Sequence, residues 1–511
     1  MSELLIRFKS GIKLYKFEKN ENKYDSQIIF EYDGYIHDVI WSHDGNSFLI
    51  FHSTDGVLLV LNCSSNIRIN QIKCHNKYKE LFTQDNLSLI KHVQWSPNNK
   101  YIIIFFPYDE NKHKDIGNVL LWSTEKNKVI SSFKIKKNIC SNWPIIHFTN
   151  DDRYFFLQKK SDMYIYDTLI LEHDENTNSN DVSNKDIPSN YIYSWNHLNV
   201  IAIYFSKYID DQNSRYFVLH TKHNFLGDIY VYKIEGLAPD QSPSSISNRN
   251  SDEHNNPPSK DNNKINITLL TKRNFQHLDN LVCLYSITGK YIIFLVSTND
   301  TTNTSYGYVS NCYYCSLVSK SVNIKKINTQ VAQDAKWSTI SDEFLIIEGK
   351  SDNIIYLYDS NLNVKSKISA QYKNTIKWCS FGNMIALGGF GNLAGDIDFY
   401  YKEKNYNTTL IKQYREPCTV LCDWSTDGTL FMTASTFPRM KVENTFKIYT
   451  YEGDLVNNYS FNELYDVKWK NCLPGVLKEP PKPKPKLIDN KKNVYKIKYI
   501  NHDNLSTTNN T

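Results

Sequence analysis

The stretch VQWSPNNKYIIIF, Val93 to Phe105, holds a short apolar strand ending on an aromatic, a small polar residue, a turn and a second apolar strand. The same order of residue types recurs along the chain. It appears at Trp41 (VIWSHDGNSFLIF), Trp195 (YSWNHLNVIAIYF), Trp337 (AKWSTISDEFLII), Trp378 (IKWCSFGNMIALG), Trp424 (CDWSTDGTLFMTA) and Trp469 (DVKWKNCLPGVLK). Phe148 (IIHFTNDDRYFFL) and Tyr285 (CLYSITGKYIIFL) fill the two gaps. With Trp95 these make nine copies, most of them 41 to 54 residues apart. A repeat of that period, built from strands that cannot bury their apolar face alone, marks a β-propeller. The predicted fold is all-β: a nine-bladed propeller of degenerate WD40-like repeats, with each aromatic at the end of a blade's innermost strand.

Around Trp95 a whole blade can be read off, with strands at Val93–Trp95, Tyr101–Phe106, Val119–Trp122 and Lys128–Phe133. Both ends of the repeat array are incomplete in complementary ways. Trp469 has an inner strand, Leu464–Trp469, without three strands after it, whereas Leu4–Phe8, Ile12–Phe17 and Gln27–Tyr32 have no inner strand before them. One shared blade therefore closes the ring and removes its exposed edges. The expected organisation is a propeller over 1–476 and a disordered Pro/Lys-rich tail over 477–511. Two polar insertions, near 172–190 and 235–264, have too few apolar residues to offset ordering entropy and are expected to be flexible loops. The tail opens with KEPPKPKPK from Lys478, which reads as an extended linker that stays off the propeller.

The formal charge of +5 is unevenly spread. From Lys478 onward there are eight lysines against Glu479, Asp489 and Asp503, and 8 − 3 = +5, so residues 1–477 sum to zero. The start, MSELLIRFKSG, lacks the apolar core of a signal peptide, and the longest apolar runs have strand length, far short of a membrane span. Ten scattered cysteines fit reduced thiols. A cytoplasmic protein with no membrane contact is the expectation.

Catalytic signatures are missing. The chain has no Walker-type phosphate loop, no His-Glu-x-x-His and no Gly-x-Ser-x-Gly, so it is read as a non-enzyme without cofactor or metal. Cys312 and Cys315 form one Cys-x-x-Cys, half of what a zinc site needs, and are expected to be core thiols. Gly389-Phe-Gly391-Asn-Leu-Ala394 fits a dinucleotide-loop pattern, but an alternating strand follows where a helix would have to begin. A tight turn between two strands is the better account. Arg439 and Lys441 sit on a loop before a strand, where they could meet phosphate or simply be solvated. In the tail, Lys482, Lys484 and Lys486 alternate with prolines that space positive charge along an extended chain, with Lys491 and Lys492 beyond. Those five lysines either contact RNA or only solubilise the chain.

The stretch from Ala386 to Gly453 resembles eukaryotic translation initiation factor 2A, a family distinct from the three-subunit factor of similar name. The resemblance is carried by GGFGNLAG (Gly388–Gly395, with Gly389, Phe390, Gly391, Asn392 and Gly395), Lys404-Asn-Tyr406, and WSTDG from Trp424. It is carried most by TASTFPRMKV (Thr433–Val442, with Pro438), followed by KIYTYEG from Lys447. Asn142-Trp-Pro144 and Ala335-Lys-Trp337 fit more loosely. The resemblance implies a nine-bladed propeller that associates with the small (40S) ribosomal subunit. It further implies GTP-independent, start-codon-directed binding of initiator methionyl-tRNA, with mRNA and other initiation factors as further partners and no role for DNA. On that basis Arg439, Lys441 and the five tail lysines are the candidate RNA or ribosome contacts, and the glycine-rich and Pro438 residues are structural. Family members usually continue past the propeller into a longer basic, helix-rich region; either the short lysine tail substitutes for it, or this chain is a reduced or incomplete version. The rival reading is a propeller scaffold subunit of an initiation or other cytosolic complex, without direct RNA contact.

Overall fold

The computed structural model describes residues 2–20, 23–52, 56–63, 66–71, 90–109, 117–135, 144–159, 161–173, 191–237, 265–299, 308–441, 443–473 and 475–484. Among them, nine four-stranded antiparallel sheets follow one another around a ring. We number the blades I to IX. Blade I combines three N-terminal strands, Ser2–Phe8, Gly11–Asn20 and Lys23–Asp33, with Leu464–Trp469, which pairs its first strand in the register Leu4↔Trp469. Blades II to IX then use consecutive strands in chain order. The shared closing blade and the blade count agree with the sequence expectation.

Alternation of apolar residues puts side chains on both faces of each sheet, and each face packs on the next blade. Each of the nine junctions between neighbouring blades accordingly holds its own buried cluster. Between II and III, Leu49, Phe51 and Leu59 meet Ile102, Ile104 and Trp122. The closing junction between IX and I is as complete, with Met432, Phe446 and Ile448 against Leu4, Ile6 and Phe17. Burying one such side chain contributes roughly 1.5–3 kcal/mol, so each junction outweighs any surface ion pair.

The aromatic at the inner-strand end packs in these junctions and also bonds across them. Trp95 Nε1 donates to Ile40 O at 3.2 Å, Trp337 Nε1 to Leu284 O at 2.9 Å, and Trp378 Nε1 to Lys336 O at 3.3 Å. Trp424 Nε1 donates to Lys377 O at 3.1 Å, Trp469 Nε1 to Asp423 O at 3.1 Å, and the Tyr285 hydroxyl to Tyr204 O at 2.8 Å. In every case the acceptor is the residue just before the preceding blade's aromatic. Each bond ties one inner strand to the next.

That rule corrects one expected copy. Tyr204 precedes Phe205, not Trp195. Trp195 lies on Tyr193–Asn196, which pairs with Asp162–Asp167 as the outermost strand of blade IV. The inner strand of blade V is Val200–Ile209, and its ring-position aromatic is Phe205, paired with Phe217. Elsewhere the aromatic pairs seven residues on, as in Trp95↔Ile102 and Trp424↔Phe431, but in blade V the separation is twelve. The lengthened hairpin hides the copy. The insertions expected near 172–190 and 235–264 fall before the outermost strands of blades IV and V and lie mostly outside the described residues.

Cys312 and Cys315 are buried on one strand, Tyr308–Ser316, but on opposite faces of it. Cys312 packs in the VI–VII junction and Cys315 in the V–VI junction. Burial raises both thiols, Cys315 to about 12. They are core residues and do not converge on a metal.

Candidate functional site

Antiparallel order gives the ring two faces. The loops between second and third strands, and the links from one blade to the next, open on one side, which we call the upper face. The hairpins between first and second and between third and fourth strands open on the lower face. The segment GGFGNLAG joins Met384–Gly388 to Asp396–Lys402, and the segment around Pro438 joins Leu430–Ser435 to Thr445–Thr450, so both lie on the upper face. No helix follows the glycines, and the dinucleotide pattern is a turn between strands, as expected.

The glycine loop is held by close approach. A Cβ on Gly389 would stand 2.0 Å from Tyr372 O, and one on Gly395, at φ +86°, 2.2 Å from Glu416 O. Asn374 clamps the turn from below: its Oδ1 accepts from Phe390 N at 3.0 Å and its Nδ2 donates to Phe390 O at 2.9 Å. The Phe390 ring folds back over Gly388, where any Cβ would collide with it. The neighbouring loop is fixed through Asn444. Its Nδ2 donates to Met440 O at 2.8 Å, and its Oδ1 accepts from Leu464 N at 2.9 Å, on the inner strand of blade I. Phe437 N donates to Leu464 O at 2.7 Å, and the Phe437 ring meets Tyr465 edge-on at 5.6 Å. Pro438 follows a cis peptide.

These two loops bring Arg439 beside Gly391: a Cβ there would come within 3.2 Å of Arg439 Nη2. They flank a recess of about 470 Å³ lined by Asn374, Phe390, Gly391, Arg439 and Thr419 and by the channel-facing Lys377, Asp423, Asp466 and Lys468. Lys377 and Asp423 are 3.3 Å apart, and Lys468 and Asp466 2.5 Å apart. Burial works to lower the Lys377 pKa, but Asp423, Cys422 and Asp334 together outweigh it and the net shift is upward, keeping the ammonium charged. Those pairs balance. Arg439 is exposed and makes no ion pair among the described residues, so it is the uncompensated charge of the recess. Lys441 is exposed on the same loop.

The tail behaves differently from the expectation. Lys478–Lys484 has no regular secondary structure, yet Pro480 and Pro483 are buried. Asn383 Nδ2 donates to Glu479 Oε1 at 2.5 Å, and Lys482 Nζ reaches Glu403 Oε1 at 2.6 Å while lying 5.3 Å from the centre of the Tyr401 ring. The start of the tail therefore joins the propeller, because its prolines find an apolar seat that composition does not reveal. Asn383 is in a first-to-second-strand hairpin and Glu403 in a third-to-fourth one, so this contact is on the lower face. Lys482 is engaged there, away from Arg439 and Lys441. Lys484 is exposed, and Lys486, Lys491 and Lys492 lie outside the described residues.

The family described as Eukaryotic translation initiation factor eIF2A matches residues 273–467, from the last strand of blade V through blade IX to the closing strand. Residues 273–467 resemble the eIF2A family. Both upper-face loops, with Phe390, Gly391, Pro438 and Arg439, fall inside the matched residues. Eukaryotic translation initiation factor 2A of Saccharomyces cerevisiae is 30% identical over 211 residues, covering 40% of this chain and 32% of that protein. The Dictyostelium discoideum protein of the same name is 22% identical over 439 residues, covering 85% of this chain and 62% of that one. The chain thus spans less than two thirds of either relative's length. A solved structure described as the crystal structure of the eukaryotic initiation factor superposes with a TM-score of 0.63 at 18% identity, over 92% of this chain and 99% of that one, which speaks for the fold. No helix among the described residues is long and apolar enough to cross a membrane.

Proposed function

We propose that this chain is a cytoplasmic, non-enzymatic translation initiation factor that associates with the small ribosomal subunit and promotes GTP-independent, start-codon-directed binding of initiator methionyl-tRNA. The observation that carries this is the eIF2A match over 273–467, which holds most of an upper-face recess with one uncompensated guanidinium. Arginine suits that place: its planar fork binds phosphate oxygens in pairs, and a fixed loop spares it much of the ordering cost. Lys441 adds a point charge on the same loop. The zero net charge of residues 1–477 favours a few shaped contacts over a broad electrostatic face.

The test is sedimentation of the purified chain with small ribosomal subunits over a salt series, for wild type and for Arg439→Ala with Lys441→Ala. Wild type pellets with the subunits, and removing two phosphate contacts flattens the salt dependence by roughly one to two units of slope. Initiator tRNA delivery is then read by filter binding with an AUG message, with and without GTP. Absence of wild-type pelleting at low salt would sink the proposal. Pelleting with a slope untouched by the double change would favour the scaffold reading, in which protein surfaces make the contact.

A further inference from the structure

The lower-face seat of the tail has the features of a polyproline receptor. Pro480 and Pro483 are both buried while Pro481, Lys482 and Lys484 between and after them are exposed. A spacing of three residues is one turn of a polyproline-II helix, so both buried rings fall on one side of it. Gly428 supplies the floor: at φ +65° it carries no Cβ, and the position a Cβ would take lies 3.0 Å from the Phe381 ring and 3.6 Å from Pro480 Cγ. Around this apolar floor stand groups that read the polar residues of the segment. Asn383 holds Glu479, Glu403 pairs with Lys482, and the Tyr401 ring lies under the Lys482 ammonium. Lys482 in turn lowers the Glu403 pKa. An aromatic-lined groove with a carboxylate for the flanking lysine is how extended proline-rich ligands are recognised.

We propose that Phe381, Asn383, Tyr401, Glu403 and Gly428 form a polyproline-II-binding groove across blades VIII and IX, selective for a proline–lysine segment and filled in cis by Lys478–Lys484. It sits opposite the Arg439 recess, so it constitutes a second recognition surface, and it does not rest on the ribosomal reading.

Zero-length carbodiimide cross-linking on the full chain, read by mass spectrometry, tests this without any ribosome. At 2.6 Å, Lys482 and Glu403 should cross-link, and Lys9 with Glu463, also 2.6 Å apart on blade I, serves as an internal measure of an intact ring. Replacing the buried rings, Pro480→Ser with Pro483→Ser, leaves both charges in place. It should cut the Lys482–Glu403 product roughly fivefold or more while the Lys9–Glu463 product is kept. A synthetic peptide of sequence Lys478 to Lys484, added in millimolar excess to that variant, should cross-link to Glu403 in trans, and a peptide of the same composition in scrambled order should not. Three results overturn the proposal: no Lys482–Glu403 product in the wild type, a product indifferent to the prolines, or equal capture of the scrambled peptide. The first two mean the lysine is a loose charge, and the third that the groove does not read proline spacing.

Discussion

Replacing Trp424 by phenylalanine tests the inter-blade bonds against simple packing. Trp424 is 5% exposed, and its Nε1 is bonded to Lys377 O across the VIII–IX junction. The substitution keeps a ring but removes the donor, and leaves Lys377 O without that partner in a buried seam. Lys377 O keeps its ladder position opposite Ala386, so the loss is that of one net hydrogen bond, about 0.5–1.5 kcal/mol. The smaller ring also leaves space beside Phe399 and Phe431, whose centroids lie 4.8 and 4.9 Å from that of Trp424, which adds about 1 kcal/mol. The expected destabilisation is therefore about 1.5–2.5 kcal/mol. Trp195→Phe is the matched comparison. That indole lies on an outermost strand, is only partly buried, and has no bond of this kind, so about 1 kcal/mol is expected. Urea unfolding followed by far-UV circular dichroism compares the two, with native-state hydrogen exchange to locate any loosening at blades VIII and IX. If Trp424→Phe costs no more than Trp195→Phe, the aromatics act by packing alone and the bonding rule has no energetic content.

Other consequences can be checked together. Gly389→Ala places a Cβ 2.0 Å from Tyr372 O, so the glycine loop must shift; about 2–4 kcal/mol of stability should be lost by thermal melting, and the Arg439 contacts with it. His147 is fully buried, and burial lowers its pKa from 6.5 to about 4 against an opposing hydrogen bond to the Ile203 backbone. A depressed folded-state pKa gives stability that is present above pH 6.5 and lost as pH falls toward 4, on the order of 3 kcal/mol. A urea series at falling pH should show that loss, and His147→Gln should blunt it. Lys373 and Asp398 form an ion pair 3.0 Å apart with side chains only 2% and 6% exposed. Lys373→Met alone should cost about 3–5 kcal/mol by stranding the carboxylate, and Lys373→Met with Asp398→Leu should recover most of it in the same assay.

The fold was legible because a propeller repeats its chemistry: one strand–aromatic–turn–strand unit, met often enough, states the ring. The complementary ends at Leu4–Phe8 and Leu464–Trp469 were legible for the same reason. Trp195 misled because Tyr193-Ser-Trp195-Asn196 imitates the unit while belonging to the strand before it. The polar residue after Phe205, Ser206, was the available signal: its Oγ accepts from Tyr208 N at 3.0 Å within its own hairpin and donates to Gly289 O at 2.6 Å in the next blade's turn. A hairpin lengthened by five residues concealed it. The seat of Pro480 was beyond sequence, since its burial depends on Phe381 and Gly428 arriving from the hairpins of blades VIII and IX. The partial separation of the candidate cations was beyond it too. Arg439 and Lys482 are 43 residues apart, yet they face opposite ends of the ring.

The pairing of Leu4 with Trp469 also sets a timetable. The N-terminal strands are made first but their inner edge has no mate until residue 469 emerges, 469 − 4 = 465 residues later. At roughly 5–20 residues per second, that edge waits about half a minute to a minute and a half during synthesis. Throughout the wait Leu4 and Ile6, destined to be wholly buried, face outward from a strand paired on one edge only. The closing seam thus concentrates the molecule's exposure to aggregation and to chaperones in its first eight residues.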